Sequence, residues 1–143
     1  MTRLLRLGTI ALAAAALVSP VVEASPAAAV GTPAIIVALP PRGDLSSTGK
    51  VVRMRVKVTC SNMSPVPIDV HLAQTRSQVK VAGSGTSGTG YTCNGHTQRV
   101  PVFVVAQKGS RFNAGGATAT ATATCGSNTC ATDTRNVQLA HVS

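Results

Sequence analysis

Basic residues at alternate positions of an apolar run are the first candidates for chemistry in this sequence. Arg53, Arg55 and Lys57 interrupt the run VVRMRVKVTC, residues 51–60. In a β-strand, alternate side chains share one face and stand about 6.6 Å apart, from a rise of about 3.3 Å per residue. These three cations form a candidate anion-binding face, suited to an anionic cell-envelope polymer, an acidic lipid or an acidic protein. The competing interpretation is that they keep the strand soluble and prevent edge-to-edge pairing.

Histidines and aspartates supply the other side chains that could catalyse a reaction or bind a metal. Beyond the first thirty residues they are His71, His96, His141, Asp44, Asp69 and Asp133. Their spacings match no hydrolase or metalloprotease motif, neither G-x-S-x-G nor H-E-x-x-H. Asp69 and His71 share one face of a strand and could form half of a metal site, although a solvated strand face is the simpler interpretation. We predict no catalytic residue, no metal ligand and no cofactor.

The first 29 residues have the composition of a secretory signal peptide. Arg3 and Arg6 precede an uncharged apolar run over residues 7–18, and small residues follow. Twelve apolar residues are too few for a membrane span, which needs about 20. We expect cleavage after Ala29, with Ala24 as the alternative. The mature chain, residues 30–143 with residues about 33–142 ordered, would be one secreted domain without a transmembrane segment, carrying 11 basic and 3 acidic side chains.

Four cysteines predict two disulfides in the mature chain. Cys60, Cys93, Cys125 and Cys130 are an even number in an oxidising compartment, and three pairings are possible. We favour Cys60–Cys93 and Cys125–Cys130, because turn residues separate the last two cysteines in CGSNTC. The spacings do not fit a zinc site.

Short apolar runs with period-two alternation predict an all-β fold. Strands are expected over residues 34–39, 51–60, 68–74, 78–82, 98–106, 117–125 and 132–141. Residues 42–50 read as a polar connection that contains the integrin-type tripeptide Arg-Gly-Asp, and Asn94-Gly95 is a hairpin signal. Residues 83–90 (GSGTSGTG) fit either a loop or a weak edge strand. Phe112 is expected to fold back as an anchor. Seven or eight strands without helical periodicity favour a two-sheet antiparallel sandwich.

The order of these motifs resembles a set of small secreted actinobacterial proteins with immunoglobulin-like domains and mostly no assigned function. The matching segments are residues 56–60, 70–72, 92–93, 100–104, 112–115, 117–125 and Cys130. This resemblance implies an immunoglobulin-like β-sandwich. The C-x4-C hairpin is also similar to that of neocarzinostatin-type apoproteins, although the other cysteine pair is 33 positions apart and an aromatic-lined cleft has no counterpart here.

Composition limits the function classes. The chain has no Trp, one Tyr and two Phe, so the stacking platforms typical of single-stranded nucleic-acid binding are missing and nucleic acid is disfavoured. We predict a secreted, non-enzymatic binding domain of unknown ligand with a basic strand face. A small-ligand carrier of the neocarzinostatin type is the alternative, and an enzyme of unknown class ranks third.

Overall fold

The computed structural model describes residues 31–142, which form eight β-strands and, within that range, no helix. The strands are β1 (Ala34–Ala38), β2 (Arg42–Leu45), β3 (Val51–Ser61), β4 (Ile68–Arg76), β5 (Val79–Thr86), β6 (Gln98–Ala106), β7 (Gly115–Cys125) and β8 (Asn128–His141). The all-β prediction is therefore confirmed. The expected signal peptide and both expected cleavage sites lie outside the described residues. No helix in residues 31–142 has the length and apolar character needed to cross a membrane.

The strands form one closed sheet, where the sequence predicted two separate antiparallel sheets. Seven strands follow one another in the order β3-β2-β8-β7-β4-β5-β6, and β6 pairs with β3 again to close the ring. β1 is an additional strand on β3. β2 pairs with both β3 and β8, and β5 pairs with both β4 and β6. Strand spacing in a sequence does not show which strands pair on both edges, so closure could not be predicted. The β2–β8 pair is also parallel.

At two prolines after β1, the chain passes from its pairing with β3 to a pairing with β8. β1 runs antiparallel to β3 as far as the pair of Ala38 and Lys57. Pro40 and Pro41 follow, and neither has an N–H to continue the ladder. The Pro41 carbonyl instead accepts a hydrogen bond at 2.9 Å from the backbone N–H of Gln138 in β8. β2 then begins alongside β8, in a segment that the sequence was predicted to use as a loop.

The core consists of small and branched apolar side chains on the inward faces of the strands. The inward positions of β3 are Val52, Met54, Val56, Val58 and Cys60, each at most 1 % exposed. β7 contributes Ala117, Ala119, Ala121 and Ala123 to the same buried cluster. Alanine faces leave room for bulkier Val and Leu side chains opposite them. The predicted exposed face of β3 is therefore confirmed, and β7 shows the same alternation.

Both disulfides of the favoured pairing are present. Cys60 on β3 is bonded to Cys93, and Cys125 is bonded to Cys130 across the end of the β7–β8 hairpin. The predicted Asn94-Gly95 hairpin is wrong, because these two residues lie within the long connection between β5 and β6 and do not join two strands directly. The disulfide and a backbone hydrogen bond hold this connection against β3. The backbone N–H of Gly95 donates to the Cys60 carbonyl at 2.8 Å. Two disulfides indicate an oxidising environment for this part of the chain.

Residues 83–90, the glycine-rich segment GSGTSGTG, form the end of a strand and a turn. Residues 83–86 belong to β5, and residues 87–90 lie beyond its end. β5 crosses close to β6 here, and a Cβ on Gly85 would lie 2.0 Å from the carbonyl oxygen of Phe103. Glycine is therefore required at this position for close backbone approach.

Replacing Gly85 by alanine is expected to lower the free energy of unfolding by about 2 kcal/mol, because the added methyl group must push two backbone segments apart. Urea denaturation would measure the change. Gly90→Ala is the matched control, since a Cβ on Gly90 has no neighbour within 4 Å. Equal stability of the two variants would contradict the close approach.

Candidate functional site

The three predicted anion-binding residues lie side by side on the outer face of β3. Arg53, Arg55 and Lys57 are all exposed, while the residues between them are buried. Their cross-strand partners on β6 are Phe103, Pro101 and Arg99, respectively. The pairing of Lys57 with Arg99 therefore adds a fourth cation to the same face. Because β3 and β6 are far apart in sequence, the four-residue cluster exists only in the folded protein.

The basic residues line a concave site just after β1, where the pairing of the chain with β3 ends. Its volume is about 400 Å³, and the segment Ala38, Leu39, Pro40 and Pro41 forms part of its wall. Six basic side chains line it: Arg42 of β2, Arg53, Arg55 and Lys57 of β3, Arg99 of β6 and Arg135 of β8. We call this set the basic groove. The groove is concave because the diproline segment detaches from β3 and crosses to β8.

The charge of the basic groove is strongly unbalanced. Among its lining residues, Asp44 is the one that carries a carboxylate. Six of the eleven basic residues in positions 30–143 therefore converge on one site. Convergent charges of one sign in a concavity raise the local potential and attract counter-ions from solution. The geometry is suited to an anionic group and unsuited to a metal cation.

Asp133 holds the wall of the groove in place. Its Oδ2 atom accepts a hydrogen bond at 2.7 Å from the backbone N–H of Leu39, the residue that precedes the two prolines. Leu39 itself is buried in the core. This contact joins β8 to the end of β1 and fixes where the chain departs from β3. Asp133 therefore has a structural role next to the groove.

Sequence reasoning missed three members of the basic groove. Arg42 was assigned to a loop, and Arg99 was not connected with β3. Arg135 lies in β8 two residues before the buried Val137, so its position in the alternation is an inward one, yet its side chain is exposed. A charged residue at an inward position is a signal that could have been noticed.

The remaining histidines and aspartates do not converge on one site. Asp69 and His71 share the outer face of β4, as predicted, beside Ser84 and Thr86 of β5. The Nδ1 atom of His141 lies 3.1 Å from the Ser46 carbonyl oxygen. Within residues 31–142, no group of three or more His, Cys, Asp or Glu side chains is arranged to hold a metal ion.

The Arg-Gly-Asp tripeptide is part of a strand, which corrects the predicted loop. Arg42, Gly43 and Asp44 lie in β2, between β3 and β8. Gly43 is buried, and a Cβ there would lie 2.8 Å from Cγ1 of Val52. All three residues pair with β8, and Asp44 also pairs with Arg53 of β3, so the tripeptide is extended and does not present the exposed turn on which the adhesion interpretation depended.

The chain matches no protein-family model and no curated protein sequence. Its function is therefore argued from the basic groove itself.

Proposed function

We propose that this protein is a secreted, non-enzymatic binding domain whose basic groove holds the acidic groups of an extracellular partner. An anionic cell-envelope polymer is the leading partner class, and an acidic protein is the alternative. The observation that carries the proposal is the convergence of six basic side chains, with one carboxylate, on a site of about 400 Å³. Such a site attracts anions over a distance and holds them through several weak ionic contacts.

The composition of the groove also favours binding over the simpler solubility interpretation. Cations that only protect a strand edge are needed on that strand alone. Here β2, β6 and β8 each contribute an arginine to the cations of β3. Like charges repel when they are brought together, so their convergence from four strands raises the energy of the free protein. A bound anion would offset this repulsion, which supports a ligand-binding role.

We further propose that the closed sheet is a variant of an immunoglobulin-like sandwich, related to the small secreted actinobacterial proteins. Its two halves would be β1-β3-β6 and β8-β7-β4. β2 and β5 would join these halves, because each pairs with one strand of both. The two disulfides are consistent with secretion. This relationship suggests no ligand, so the groove remains the source of the functional proposal.

Neutralising the β3 cations tests the proposed function. The triple variant Arg53→Gln/Arg55→Gln/Lys57→Gln is expected to bind long-chain inorganic polyphosphate about 10- to 100-fold more weakly at low ionic strength, since each cation near an anionic surface is worth up to about 1 kcal/mol. Binding would be measured by fluorescence anisotropy at several salt concentrations. The difference between the two proteins should shrink as salt screens the charges.

A control variant separates the groove from the overall charge. Lys80→Gln/Lys108→Gln/Arg111→Gln removes the same number of charges from exposed residues that do not line the groove. It should bind polyphosphate within about threefold of the unmodified protein, because local charges dominate at short range. Equal losses in the two triple variants would overturn the assignment of the site. Poly-L-glutamate in place of polyphosphate tests the alternative partner class.

A further inference from the structure

Large apolar side chains on the surface gather beside the basic groove. In the part of the chain that the structure describes, the exposed ones are Ile36, Val79, Phe103, Val105 and Val142, each more than half exposed. Phe103 and Val105 project from the outer face of β6, where they stand opposite Arg53 and Val51 of β3. Ile36 stands on β1 opposite Thr59, at the other end of the basic row. Val79 lies apart, beside the β4–β5 turn.

A second depression connects two of these side chains, Phe103 and Val142, to the basic groove. It has a volume of about 480 Å³, and its apolar lining includes Val51, Phe103 and Val142. Asp44, Arg53 and Arg55 line both this depression and the basic groove. The two concavities are therefore neighbours, and their shared wall carries two guanidinium groups and one carboxylate. We call Phe103, Val105 and Val142 the apolar flank.

From this juxtaposition we propose that the basic groove and the apolar flank together form one binding site for an anionic amphiphile. Such a ligand has a phosphate or similar acidic headgroup and an apolar chain. The headgroup occupies the basic groove, so this inference rests on the proposed function. The chain lies over the apolar flank, where burial removes apolar surface of both protein and ligand from water.

Charge selects this occupant over a second copy of the protein. If two molecules met through this face, the six cations of one groove would approach the six of the other, which is unfavourable. A purely polar polyanion would neutralise the groove but would leave the apolar flank in water. A ligand that is acidic at one end and apolar at the other satisfies both parts of the surface.

A series of alkyl phosphates tests the inference. Butyl, hexyl and octyl phosphate, each below its micellar concentration, would be titrated into the purified protein by calorimetry. Full burial of one CH2 group contributes about fourfold in affinity, and a half-open depression should give about twofold. We therefore expect affinity to rise about fourfold with each step of two carbons.

Variants of the apolar flank identify where the chain binds. Phe103→Thr/Val105→Thr/Val142→Thr should remove the dependence on chain length and leave polyphosphate binding within about twofold. Val79→Thr is the matched control, because Val79 is equally exposed but distant from the groove, and it should behave like the unmodified protein. Thermal unfolding checks that the variants fold. Val142→Thr alone lies beyond the end of β8, so it provides a milder variant that leaves the strands unchanged.

Vesicles distinguish the two sources of such a ligand. Binding to phosphatidylglycerol vesicles that requires the apolar flank, without a chain-length effect for the soluble phosphates, would assign the ligand to a membrane surface. A chain-length effect in solution would assign it to a free amphiphile. If neither measurement depends on the apolar flank, the inference is overturned. The proposed function survives that result if polyphosphate binding still requires Arg53, Arg55 and Lys57. If polyphosphate binding does not require these cations, the proposed function is overturned as well.

Discussion

Replacing Cys60 and Cys93 together by alanine is expected to lower the free energy of unfolding by about 4 kcal/mol. The two cysteines are 33 positions apart, and a crosslink that closes a loop of this length removes much of the freedom of the unfolded chain. Cys60 is also 1 % exposed, so the substitution affects a buried position of β3 as well. For a domain of this size, such a loss is a large part of the total stability.

Urea denaturation would measure this loss, with the second disulfide as the comparison. Cys125 and Cys130 are five positions apart, and their loop predicts a loss of only about 2 kcal/mol in Cys125→Ala/Cys130→Ala. The order of the two effects is the decisive observation. A larger loss from the short loop would show that the hairpin register, rather than loop length, determines what each disulfide contributes.

Replacing Phe112 by alanine is the single substitution with the largest expected effect, a loss of about 4 kcal/mol. Phe112 is 1 % exposed and lies in the connection between β6 and β7, where its ring approaches Gly83 of β5. Its backbone N–H donates to the Gly49 carbonyl at 2.7 Å. The buried Gln74 side chain holds the adjacent residue, because its Nε2 donates to the Asn113 carbonyl and its Oε1 accepts from the Asn113 N–H.

Phe103→Ala provides the control for Phe112→Ala. The chain has two phenylalanines, and Phe103 is 55 % exposed. Its replacement should change stability by no more than about 0.5 kcal/mol, as is usual for surface positions. Thermal and urea unfolding of both variants would report the difference. A loss for Phe112→Ala as small as about 0.5 kcal/mol would mean that the 107–114 connection does not contribute an anchor to the core.

Local patterns predicted the strands that have one buried face and one solvated face. β3 shows this best, since its inward residues are all buried and Arg53, Arg55 and Lys57 are all exposed. Alternation is a property of consecutive residues, so it can be read from the sequence. The sequence did not predict β2, because Leu45 is the one large apolar side chain among its four residues. Gly43 is buried but has no side chain, so the alternation of apolar and polar residues cannot be seen. The strand conformation of β2 depends on pairing with β3 and β8.

The threonine face of β7 has its partners on β8. Threonines occupy alternate positions of residues 117–125. In the structure three of these four threonines stand opposite threonines of β8, and Thr118 stands opposite Asn136. The hydroxyl oxygens of Thr120 and Thr134 lie 3.2 Å apart, within hydrogen-bond distance. These pairs stabilise the hairpin in the way that cross-strand pairs generally do.

The sequence by itself determined the all-β class, the two disulfides and the basic face of β3. Each of these follows from neighbouring residues or from the number and spacing of cysteines. The tertiary structure alone decided that the sheet closes, and that the basic face is part of a groove. Arg99 joins Arg53, Arg55 and Lys57 because β6 pairs with β3. Arg42 and Arg135 join them where Pro40 and Pro41 end the ladder and the chain crosses to β8. Which strands then become neighbours depends on long-range packing, and no local pattern records it.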